Sequence, residues 1–60
     1  MSNELNTLRI DMISLMEQNP DHADDLMRTW GICVTAIWDG LEEKLAISMC
    51  RNYIEELLAQ

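Results

Sequence analysis

Residues 30–38 read Trp-Gly-Ile-Cys-Val-Thr-Ala-Ile-Trp, WGICVTAIW, and eight of these nine residues are apolar or glycine. The run sits in the middle of a 60-residue chain, and both of the chain's tryptophans bracket it. Short apolar runs rich in Ile, Val and Thr can be buried strands. No second run of comparable character is present to pair with this one, and a lone strand leaves its backbone N–H and C=O groups unsatisfied. The helical reading therefore prevails. Leu26, Trp30, Cys33, Val34 and Ile37 then form one stripe, broadened by Ala23, Met27 and Trp38, while Ile32 and Ala36 project in a third direction. Asp24, Arg28, Gly31, Thr35 and Asp39 confine the polar face to a narrow band, and a helix apolar over most of its circumference has to be buried on most sides.

This helix has a well-marked start. In Asn19-Pro20, asparagine is expected to cap, and proline occupies the first helical position, where its missing N–H costs nothing. Asp21, Asp24 and Asp25 follow, placed where the helix dipole favours negative charge. Because the residue before proline is pushed out of the α region, the preceding helix should stop at about Gln18. That first helix begins near Ser2 or Asn3 and carries Leu5, Leu8, Met12, Leu15 and Met16 on one arc, with Ile10 and Ile13 outside it as a hint of a second contact surface.

Asp39-Gly40 is the ambiguous joint. Asp39 with Glu42 three positions on resembles an N-cap pattern, and Gly40 weakens a helix by about 1 kcal/mol relative to Ala. Extending the apolar stripe past Gly40 leads to Lys44 and Arg51, so the chain either breaks here or bends and changes its packing partner. The last helix runs from Leu41 to about Leu58. Its main face is Ala46, Cys50, Tyr53, Ile54, Leu57 and Leu58, and Leu41, Leu45 and Met49 make a separate ridge. Arg51 and Glu55, one turn apart, would form a pair worth only a few tenths of a kcal/mol. The expected architecture is all-α and a single domain over 1–60, with two to three helices at about 3–18, 20–38 and 41–58.

Composition limits the function classes. Hydrophobic content is 48% and charged content 25%, which excludes a disordered acidic tail. Glycine and proline total three, too few for a multi-stranded β fold. Four basic residues stand against eleven acidic ones, for a net charge of −7, and the basic residues are scattered. Direct binding to DNA or to a membrane surface is therefore disfavoured. The N-terminus lacks the basic flank and apolar core of a signal peptide, and no stretch approaches a membrane span. With Cys33 and Cys50 read as small hydrophobes, a cytoplasmic location is expected. His22 has aspartate neighbours but no ligand spacing, and no phosphate loop or nucleophile–base arrangement is present. No enzyme activity, cofactor or metal is expected.

A chain this short buries little surface alone, and all its helices carry surplus apolar arcs. The expectation is a homo-oligomer, most simply a dimer, meeting through Leu26, Trp30, Cys33, Val34, Ile37 and Trp38. The Leu41, Leu45 and Met49 ridge either completes that dimer or docks a second, unidentified protein. The leading functional expectation is a small regulatory interaction protein. One alternative is an acidic DNA mimic that blocks a nucleic-acid-binding protein, presenting Asp21, Asp24, Asp25, Asp39, Glu42 and Glu43. The other is a helix-turn-helix-like transcription modulator, although Lys44, Arg51 and Asn52 are a poor recognition set.

In its MSNEL start, short length, few basic residues and two tryptophans flanking an apolar helix, the chain resembles the small acidic helical accessory proteins of the early region of temperate lambdoid phages. That resemblance implies a non-essential modulator of host physiology or of the lysis–lysogeny choice, acting through protein contacts in the bacterial cytoplasm.

Overall fold

Three α-helices follow one another in the computed structural model, which describes residues 2–60: α1 (Asn3–Gln18), α2 (Ala23–Trp38) and α3 (Glu43–Ala59). All of WGICVTAIW lies inside α2, and the described residues include no strand. The all-α reading holds.

Each boundary has a local cause. Ser2 caps α1 with its hydroxyl oxygen, which accepts the Leu5 N–H at 3.1 Å, and Glu4 lies in the first turn beside the positive end of the dipole. At the other end, Asn19 differs from its expected role. Its side chain makes no capping bond to the turn that follows. Instead its side-chain Nδ2 and its backbone N–H both donate to the Leu15 carbonyl, at 3.0 and 2.8 Å. Asn19 closes α1 because the last carbonyls of a helix need donors, and an amide N–H supplies one. Pro20 does take a first position, but of a single 3₁₀ turn, Pro20–His22, closed by the His22 N–H on the Asn19 carbonyl at 2.9 Å. α2 starts only at Ala23, with Asp24 and Asp25 in its first turn.

The Asp39-Gly40 joint is a break, and its nature corrects the expected N-cap. Gly40 has φ +110°. The Gly40 N–H donates to the Ile37 carbonyl at 3.0 Å, and the Leu41 N–H donates to the Ala36 carbonyl at 2.9 Å. This pair of bonds is the Schellman arrangement, which ends a helix with glycine just past its C-cap. Asp39 is thus the C-cap of α2, and Glu42 occupies the N-cap position of α3 without a side-chain capping bond. The third helix accordingly begins two residues later than the sequence suggested.

The short connections lay the helices antiparallel in sequence order. α1 packs chiefly on α2, α2 on α3, and α1 only lightly on α3. The radius of gyration, 11.0 Å, is near the ~10 Å of a compact chain of this length. Leu5, Leu8 and Met12 from α1 meet Leu26 and Cys33 from α2 and Ala46, Ile47, Cys50, Ile54 and Leu57 from α3 in one core. Leu8 and Leu26 are wholly excluded from solvent. Thr29 is also buried, and its hydroxyl donates to the Asp25 carbonyl at 2.7 Å; among the described residues no buried side-chain N or O atom lacks a partner. Two side-chain assignments on α3 change. Tyr53 is half exposed rather than core, and Ile47 takes a place in the core instead. Arg51 pairs with Asp11 of α1 at 3.1 Å, in place of the expected Glu55, and the exposure of both groups keeps that pair weak.

The two glycines should respond oppositely to alanine. Gly40→Ala places a Cβ on a positive-φ backbone and is expected to cost about 1–2 kcal/mol. Gly31 is mid-helix, and within the chain a Cβ there meets nothing within 4 Å, so under monomeric conditions Gly31→Ala should stabilise by roughly 1 kcal/mol. Urea denaturation of the two variants measures both signs.

Candidate functional site

At 3.6 residues per turn, Leu26, Cys33 and Ile37 set the inward direction of α2. On one flank lie Thr29, Ile32 and Ala36, towards α3. On the other lie Met27, Val34 and Trp38, together with Gly31. Both flanks leave apolar side chains in water.

The first flank forms one wall of a groove between α2 and α3. Its opposite wall rises from α3 and the turn before it. Leu41 and Met49 line it with Tyr53, while Leu45, on the same four-residue spacing, is exposed outside the lining. Ile32, Met49, Tyr53 and Leu45 are 66, 58, 50 and 50% exposed, so these large side chains stand up from the surface. The floor between them is made of small side chains: Thr29, Cys33, Ala36, Ala46 and Cys50. The cavity is about 360 Å³, and Asp25 and Arg28 close one end. Small residues below and large ones at the sides give the seam its depth.

Cys33 and Cys50 meet at this floor from opposite helices, both reduced. Burial pushes the Cys33 thiol up, partly offset by its hydrogen bond with Cys50. Burial also pushes Cys50 up, to about 11, with the adjacent Cys33 adding to the shift. Neither is a thiolate at neutral pH, so both act there as compact packing groups. Among the described residues no three His, Cys, Asp or Glu side chains group as a metal site, and no helix is long and apolar enough to cross a membrane.

The residues singled out from sequence separate into three groups. Leu26 and Cys33 lie in the chain's own core, and Trp30 and Ile37 pack partly against it. Their apolar surface is used inside the chain's own fold, because α1 and α3 approach α2 from two sides. Of the six expected dimer residues, Val34 and Trp38 remain at the surface, Trp38 being 88% exposed, and Met27 joins them. Of the expected Leu41, Leu45 and Met49 ridge, Leu41 and Met49 line the groove with Ile32 and Tyr53, which were not assigned to it, and Leu45 is exposed outside the lining. The four-residue spacing from Leu41 through Leu45 and Met49 continues to Tyr53, so that member was available in the sequence. Ile32 belongs to the groove only because α3 folds back beside it. The acidic residues fall into two patches, Asp21, Asp24 and Asp25 at one end of α2 and Asp39, Glu42 and Glu43 at the other, separated by the ~24 Å length of a 16-residue helix.

The thiol at position 50 gives a pH signature. Its pKa is raised on folding, so its contribution to stability is complete below the ordinary value of 9.0 and is lost as pH rises towards about 11. Wild-type protein should therefore lose stability relative to a Cys50→Ala variant across that interval, as measured by urea midpoints at successive pH values. Parallel midpoints would contradict the raised thiol.

In comparisons with family models, with curated proteins and with solved structures, the chain finds no match.

Proposed function

We propose that this chain is a non-enzymatic interaction module that acts through protein–protein contacts, using apolar surface on both flanks of α2. The observation that carries this reading is the pair of exposed apolar strips left after the core is complete: Met27, Val34 and Trp38 on one side, and Ile32 with Leu41, Leu45, Met49 and Tyr53 on the other. Contiguous apolar surface on a small domain marks interaction sites. A core that already closes within one subunit means these strips are not needed for folding.

The Met27–Val34–Trp38 strip suits a second copy of the chain. Gly31 lies on the same flank with open space above it, so another helix can approach the α2 backbone closely. A tryptophan standing 88% exposed supplies the large anchor typical of a contact centre. The groove on the other flank then remains for a different protein. The resemblance to phage accessory proteins supports a setting in which that protein belongs to a host or phage regulatory process, in the bacterial cytoplasm.

Sedimentation equilibrium at micromolar concentration tests the self-association. The expected result is a dimer whose dissociation constant rises about thirtyfold in Trp38→Ala, the loss of roughly 2 kcal/mol at a contact anchor. The variant's unfolding free energy under monomeric conditions should change by less than about 0.5 kcal/mol, because the side chain leaves the core untouched. A wild-type chain that stays monomeric would remove the dimer from the reading.

A further inference from the structure

We propose that the α2–α3 groove receives a basic amphipathic helix from a partner protein. This rests on the reading of the chain as an interaction module and specifies what one of its two surfaces binds.

Shape gives the first reason. The groove runs between two antiparallel helices, from Asp25 and Tyr53 at one end to Ala36 and Leu41 at the other. Eleven residues of α2 separate those ends, about 17 Å or three helical turns. α1 covers the opposite side of the α2–α3 hairpin, so a helix laid in the outer seam would be the fourth member of a bundle. The small floor residues admit side chains projecting at helical spacing. Met49, unbranched and half exposed, can adjust to them.

Charge selects between occupants. The chain carries −7, and among the described residues only one of its carboxylates, Asp11, is held in an ion pair. Asp25 lines the groove itself, Glu42 follows the lining residue Leu41, and Glu56 lies three positions from Tyr53 along the chain. A second copy in this groove would bring a further −7 against the same rim, and like charges across an interface are costly. A helix with leucines on one face and lysines or arginines on its shoulders brings the complementary sign, with Arg28 as the groove's single opposing charge.

The test uses the whole chain and two synthetic helices of about 15 residues, long enough to form helix on docking. Both carry leucine at i, i+3, i+4 and i+7 spacing; one has lysine at the remaining positions and the other glutamate. In fluorescence anisotropy the lysine peptide should bind at least about tenfold tighter than the glutamate peptide and weaken as salt is raised. Met49→Glu should weaken the lysine peptide by about tenfold or more, since it puts a charge on the groove wall. The sign of that effect is decisive. The substitution makes the protein more acidic, so diffuse attraction would strengthen binding, and stronger binding would overturn the proposal. Ile32→Glu provides a second variant on the facing wall with the same weakening expected, and circular dichroism checks that both variants remain helical. Equal affinity for the two peptides would overturn the basic occupant. Loss of self-association in Met49→Glu, with neither peptide bound by the wild type, would assign the groove to a second copy and leave the interaction-module reading standing. A chain that binds neither peptide and is monomeric throughout would defeat both.

Discussion

Gly40, held at φ +110° between two hydrogen bonds that close the end of α2, turns the chain so that α3 runs back along α2 within four residues. The rest of the arrangement depends on that reversal. It brings Cys50 against Cys33, sets Ala46 and Ile54 in the core with Leu8 and Leu26, and raises Met49 and Tyr53 opposite Ile32. Had the helix continued through position 40, its stripe would have delivered Lys44 and Arg51 to the core side. Neither the core nor the groove would exist.

The same geometry explains why a short chain can close its core and still have apolar surface left. α2 is apolar over most of its circumference, but α1 and α3 each cover only one sector of it. Leu26, Thr29 and Cys33 are enclosed, while the residues one step to either side emerge. Burying a large aliphatic side chain contributes about 1.5–3 kcal/mol, so leaving Met27, Ile32 and Trp38 in water forgoes stabilisation that a small domain would otherwise use. Their placement on two separate flanks gives the molecule two faces for contact instead of one enlarged core.

Much of the fold was legible in the sequence because it follows from local chemistry. The arc Leu5, Leu8, Met12 on α1 and the stop at Asn19-Pro20 are set by helical period and by proline sterics, and both stand in the structure. The strand alternative for residues 30–38 fell to the need for backbone partners. What the sequence left open was decided by which groups came to need satisfying or covering. The Asp39 and Glu42 spacing suggests an N-cap, and the positive φ at position 40 makes Asp39 the end of α2 instead; Asn19 suggests a cap for the helix that follows, but the Leu15 carbonyl takes its donors. The dimer surface was drawn through Leu26 and Cys33 because one helical stripe does not reveal which part a neighbouring helix will cover. The ridge on α3 was visible by spacing. Its facing wall at Ile32 was not, since that pairing joins residues on two helices through the Gly40 turn.

The central claim is that the outer seam between α2 and α3 stands open in the isolated protein. Paramagnetic relaxation of methyl signals by an inert soluble radical measures this most directly. The account predicts strong broadening at the Ile32 and Met49 methyls, with the Ile47 and Ile54 methyls spared. Protection of Ile32 and Met49 to the level of Ile54 would mean that the groove is already covered, and would contradict it.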